Sequence, residues 1–112
     1  PPPPPQQRVA QEVAEAAVKA IEADIAALET ETFRQTDAGD LFHSLTSLAA
    51  HALKAHLASQ RKTYDTIKEM NNTNLAKLRV RIEVSEKLLF LTEQLEAAKA
   101  RVVQGQQQQQ GQ

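Results

Sequence analysis

The chain has no cysteine and no tryptophan, three glycines, and four aromatic residues: Phe33, Phe42, Tyr64 and Phe90. Without cysteine there are no disulfides, no thiolate metal sites and no cysteine nucleophile, a composition that fits a reducing compartment. Aromatics carry much of the buried area in small cores, and a short chain buries a smaller share of its surface. At 112 residues and with an apolar content that leans on alanine, a self-sufficient globule is not expected. The formal net charge of −1 gives no overall pull toward nucleic acid or anionic lipid. No apolar run approaches the roughly 18 residues of a membrane span. The proline-led start also lacks the apolar core of a signal peptide. Together these features predict a soluble, intracellular chain in a cytoplasmic setting.

What is present is helical pattern. Between Leu41 and Val103 there is neither glycine nor proline. Apolar residues there return at steps of three and four. One line steps through Tyr64, Ile67, Asn71, Asn74, Leu78, Arg81, Ser85 and Leu88. A second runs through Leu75, Ile82 and Leu89, and a third through Leu88, Leu91, Leu95, Ala98 and Val102. Alternating steps of three and four mark an α-helix that lays a seam against other helices. Unbroken, the 63 residues would form a rod of about 95 Å. Such a rod cannot bury its stripe on itself. The fold class predicted is therefore all-α: an elongated helical hairpin or coiled coil, one shorter N-terminal helix and one long one, with disordered tails.

Taken in order, residues 1–7 form a Pro/Gln-rich lead expected to be extended and polyproline-like. Residues 8–32 are rich in Ala and Glu, good helix formers. There Val9, Val13, Ala17, Ile21, Ile25 and Leu28 are read as one narrow stripe. Residues 33–40 hold Thr36, Asp37, Gly39 and Asp40, which read as a turn with Asp40 as N-cap. A helix over 41–103 follows, opening on Leu41, Leu45, Leu48, Ala52 and Ala55. Its one weak point is Asn71-Asn72-Thr73-Asn74, whose side chains compete for backbone hydrogen bonds. A turn there would make three helices. Because no Gly caps the segment and no Pro stops it, the reading adopted is a helix that runs through. The tail, 104–112, is glutamine punctuated by Gly105 and Gly111, expected to be disordered.

Charge is segregated along the chain. Residues 8–32 carry six acids against Arg8 and Lys19, a net of −4; residues 61–81 carry six bases against Asp65 and Glu69, a net of +4. Two readings stand. The acidic helix meets the basic segment within or between chains, with charge setting partner choice; or the basic segment touches phosphate or an acidic filament. The first is preferred, because Asp65 and Glu69 interrupt what a nucleic-acid site needs as a broad basic face. Membrane association is expected only indirectly, since the 87–101 helix mixes acids into its polar face.

Chemistry finds little purchase. His43, His51 and His56 include no i, i+4 pair and no H-E-x-x-H, so no metal site is expected. Ser44, Thr46 and Ser47 lie near His43 in sequence, but nucleophilic catalysis needs a third group to orient the base as well. No glycine-rich loop exists to cradle phosphate. A non-enzymatic protein without cofactors is the expectation.

The run Tyr64-Asp65-Thr66-Ile67-Lys68-Glu69-Met70-Asn71-Asn72-Thr73-Asn74-Leu75-Ala76-Lys77-Leu78 resembles a known family. It is similar to the second subunit of the biogenesis of lysosome-related organelles complex, where a tyrosine likewise precedes a Met-Asn pair by six residues. Leu41-Phe42 also looks like that family's opening, so the resemblance covers about residues 41–100. It implies a small elongated subunit of a hetero-oligomeric coiled-coil assembly, acting in endosome and lysosome trafficking or positioning, as in that complex and the related BORC. It carries no catalytic residues. The partners implied are other helical subunits, met through a seam of Leu45, Leu48, Tyr64, Ile67, Asn71, Leu75, Leu78, Ile82, Leu88, Leu91 and Leu95. Three rival readings remain. One is a self-contained three-helix bundle resembling a tubulin cofactor, which needs a turn at 71–74. The others are a filament- or axoneme-associated protein and a subunit of a nuclear assembly of the Mediator or kinetochore type.

Overall fold

The computed structural model describes residues 4–35, 39–70 and 74–110. It contains four α-helices and, among the described residues, no strand. These are α1 (Pro5–Gln35), α2 (Gly39–Thr46), α3 (Ala50–Ile67), followed by a 3₁₀ turn at Lys68–Met70, and α4 (Asn74–Gln110). The molecule is elongated, 66 × 26 × 18 Å. The all-α, elongated class expected from the periodicity is what the chain adopts.

Helix reaches further into the tails than composition suggested. Gln7 and Arg8 donate their backbone N–H groups to the Pro4 carbonyl at 3.0 and 3.1 Å. Pro5 thus sits at the first helical position, where its missing donor costs nothing and its fixed φ is already helical. At the other end, glutamine is a good helix former, and α4 continues through it to Gln110.

The single rod over 41–103 is not formed; it is divided twice. The first division is at 47–49. Thr46 and Ser47 donate their hydroxyls back to the carbonyls of His43 and Ser44 at 3.0 and 2.9 Å. Such bonds compete with helix continuation. Ala49 is extended (φ −69, ψ 161) and offers no side-chain cap to α3. The cap comes instead from across the molecule, the Glu96 carboxylate accepting the Ala50 N–H at 2.8 Å. The second division lies between Met70 and Asn74. Residues 71–73 are outside the described set, but the helices on either side run antiparallel. Lys54 pairs with Glu93 at 3.8 Å and Arg61 with Glu86 at 3.0 Å, and Arg79 donates to the Tyr64 hydroxyl at 2.8 Å. Asn74 begins a new helix rather than continuing an old one. Of the expected turn over 33–40, residues 33–35 are helical within α1, residues 36–38 lie outside the described residues, and α2 already begins at Gly39, one residue before the expected Asp40 cap.

Both α1 and α3 lie antiparallel against α4, which is the spine. On α1 the inward line is Gln7, Gln11, Ala14, Val18, Ile21, Ile25, Leu28 and Thr32, each buried or partly buried, at steps of four and three. The facing line on α4 is Val84, Leu88, Leu91, Leu95, Ala98, Val102 and Gly105. A second line on α4, Leu75, Leu78, Ile82, Ser85, Leu89 and Thr92, is buried or partly buried, as are Leu53, Leu57, Gln60, Tyr64 and Ile67 of α3, which packs on α4. Sustained steps of 3.5 on both members of a pair are coiled-coil packing. The α1 stripe therefore differs from the expected one at its start: Ala14 and Val18 turn inward, and Val9 and Val13 face solvent. Where α1, α2 and α3 all reach α4, Leu28, Phe42, Leu45, Leu53, Val84 and Leu88 form the core, with Ile25, Leu48, Leu89 and Leu91 packed on it.

Candidate interaction site

The expected partner seam can now be placed residue by residue. Leu45 and Leu88 are core residues, 2% and 1% exposed. Leu48 and Leu91 pack against that core. Leu95 belongs to the line that meets α1, while Tyr64, Ile67, Leu75, Leu78 and Ile82 are partly buried where α3 and α4 pair. Asn71 lies outside the described residues. Most of the stripe read as a surface for foreign helices is thus occupied within the chain. The physical reason is that α1 and α3 both pack on α4, which brings stripes of one chain against each other before any partner is needed.

Three features remain turned outward. First, the rod is only two helices thick where α1 up to about Ile21 meets α4 beyond about Ala97. In this arm the only described residues that are fully buried are Ala14 and Ala98. Second, large apolar side chains are exposed along the rod: Val13 at 63%, Phe90 at 61%, and also Val9 and Val103. Third, among described residues of 61–83 none is fully buried, although Tyr64, Ile67, Leu75, Leu78, Val80 and Ile82 are all there.

The arm is held by a close approach. Gln11 donates from Nε2 to the Val102 carbonyl at 3.2 Å. Its Oε1 lies over Gly105, in the space a Cβ would fill. The alanine pair and this notch let the backbones come near, and they leave shallow grooves on both sides. One groove is lined by Val18, Lys99, Val102 and Val103. The opposite one is formed by two adjoining depressions that share Arg101, with Val13 and Ala17 in one and Ile21, Phe90 and Ala97 in the other.

Folding also redistributes the charge. The acidic N-terminal helix runs along the 84–105 half of α4, not along 61–81. Two cations of the basic segment form ion pairs with other carboxylates, Arg61 with Glu86 at 3.0 Å and Lys68 with Asp65 at 3.5 Å. The Tyr64 hydroxyl, accepting a hydrogen bond from Arg79, raises the Arg79 pKa above its ordinary value. The arm, residues 5–21 with 97–110, carries Arg8, Lys19, Lys99 and Arg101 against Glu12 and Glu15, a net of +2.

The histidines do not converge. His43 is exposed, its Nε2 3.6 Å from a Glu29 carboxylate oxygen and its ring edge-on to Phe33 at 5.7 Å. His51 is exposed and His56 partly buried. Among the described residues no group of three or more His, Asp or Glu side chains is placed to hold a metal ion. Among them, too, no helix is long and apolar enough to cross a membrane. The fold and these surfaces define an elongated, all-α protein built on antiparallel coiled-coil pairs. No family model matches the chain, and neither a curated protein nor a solved structure matches it.

The sequence offered a signal for the arm that the stripe reading passed over. Gly105 is the only glycine within the 37 residues of α4. A glycine inside a helix often marks a place where another chain segment comes close. Reading it as tail punctuation hid the partner it has in Gln11.

Proposed function

We propose that this chain is a non-enzymatic helical subunit that lends its coiled-coil arm to a hetero-oligomeric assembly of other helical proteins. The observation that carries the reading is the arm, where two helices pair with only Ala14 and Ala98 fully buried among the described residues. Most helical stability in proteins comes from packing an apolar face. At about 25 cal/mol per Å² of apolar surface, alanine contributes little. Val9, Val13, Phe90 and Val103 are the larger apolar groups available for further packing. The resemblance of 64–78 to the lysosome-related organelle subunit supports a place at endosomes or lysosomes, peripheral to the membrane and reached through those partners.

The test is size exclusion with light scattering on protein purified from its source with partners retained. A complex of defined stoichiometry that contains other helical proteins is the expected result. A single copy of the protein with no partner would overturn the reading. It would favour the second one, a self-contained helical bundle that caps or chaperones another protein, for which the reversal between Met70 and Asn74 speaks.

A further inference from the structure

The α3–α4 pair changes character along its length. In the first half of α3, Leu53 and Leu57 are buried, and Leu53 belongs with Leu88 of α4 to the core. At the other end Tyr64, Ile67, Leu75, Leu78 and Ile82 are only partly buried, and no described residue of 61–83 is fully buried. Between these halves lies a polar level. Gln60 is 9% exposed and Ser85 0%. Each immediately precedes a member of the Arg61–Glu86 ion pair, so the two stand at nearly one height on the antiparallel helices. Neither Gln60 Oε1 nor Ser85 Oγ has a hydrogen-bond partner. The same holds for Arg81 Nε, one turn before Ser85 on α4. A buried polar group left unpaired disfavours the closed state, because separation would let water satisfy it. Beyond that level α3 and α4 are joined through Tyr64 and Arg79. Arg79 donates to the Tyr64 hydroxyl at 2.8 Å, and its guanidinium carbon lies 5.8 Å from the ring centroid. Arg79 is exposed, so water competes for that bond.

We infer that the α3–α4 pair is a clamp in two parts. One part is fixed through Leu53, Leu57 and Leu88. The other is a fork beyond Gln60 and Ser85 that opens as a unit, with Tyr64–Arg79 as its latch. Opening exposes no described apolar side chain that is fully buried when closed, and it hydrates the unpaired groups of Gln60, Ser85 and Arg81. It uncovers Tyr64, Ile67, Leu75, Leu78 and Ile82, part of the stripe that the sequence pattern marks for helix contacts. The opening does not depend on the assembly role proposed above; failure of either leaves the other standing.

Hydrogen exchange of the full chain, followed segment by segment by mass spectrometry, tests the fork. Amides of 61–67 and 75–82 are expected to exchange together, at least about tenfold faster than those of 50–57 and 84–98. Helix ends also fray, and two variants separate fraying from a fork. Gln60→Leu replaces the unpaired amide oxygen with an apolar side chain of similar size. It should slow exchange on both sides of the fork by about tenfold. Tyr64→Phe keeps the ring, removes the latch bond and should speed exchange on both sides by about fivefold. Rates that fall smoothly inward from each helix end would overturn the proposal. So would a response confined to α3, the helix that carries both substitutions, or protection of 61–67 and 75–82 equal to that of 50–57.

Discussion

Gln11 and Gly105 interlock across the arm: the amide nitrogen of Gln11 donates to the Val102 carbonyl at 3.2 Å, and its oxygen lies in the space that a side chain at 105 would occupy. The contact lies on the face of α1 that packs on α4, the face that also carries Ile25 and Leu28. With Gln11 turned inward, Ala14 and Val18 follow at steps of three and four, and Val9 and Val13 are carried outward.

A double-mutant cycle follows from that geometry. Gly105→Ala alone gains about 1 kcal/mol of helix propensity but displaces Gln11 and loses a hydrogen bond of about 1 kcal/mol. Its net effect on stability should lie near zero. In a Gln11→Ala background the same change should stabilise by about 1 kcal/mol, since nothing is displaced. Thermal or urea unfolding of the four proteins measures the coupling, and additive effects would show that the notch is unimportant.

Glu96 caps α3 from another helix, replacing the side-chain cap that Ala49 cannot give. Glu96→Ala should destabilise the chain by about 1 kcal/mol. Ala49→Asp in that background supplies a local cap and should restore most of the loss. If Glu96→Ala leaves the unfolding midpoint unchanged, the capping bond is not a stabilising one.

Leu88 and Leu78 stand on the same helix but in different surroundings, fully buried and partly buried respectively. Leu88→Ala should cost about 2–5 kcal/mol by leaving a cavity in the core, enough to abolish much of the stability of a small domain. Leu78→Ala should cost less than half as much. Equal losses, read by circular dichroism melts, would place Leu78 in the core as well.

The ion pairs Arg61–Glu86 and Lys54–Glu93 join α3 to α4 with side chains 47–68% exposed. Removing either pair as a double alanine variant should shift stability by no more than about 1 kcal/mol, and less at high salt. A larger loss in both would mean that charge rather than the apolar line orients α3.

Helix content, elongation and the step of 3.5 were legible in the residues because they depend on local spacing and propensity. The lines Leu75–Ile82–Leu89 and Leu88–Leu91–Leu95–Ala98–Val102 survive in the folded chain as two faces of α4. Which face meets which helix was not legible, because steps of three and four mark a surface to be buried without naming what buries it. The break at 47–49 was hidden for a related reason. No Gly or Pro announces it, and the group that makes it favourable, Glu96, is far away in sequence.

The amino-acid sequence by itself determined that this protein is helical, rich in alanine seams, and free of cysteine chemistry. Only tertiary structure decided that the leucine stripe becomes a core of the chain's own making and that Val9, Val13, Phe90 and Val103 are left exposed. The packing of α1 and α3 on α4, with one Gln–Gly notch, places those surfaces. Their energies come from contacts between segments up to 94 positions apart, Gln11 to Gly105, which no local pattern encodes.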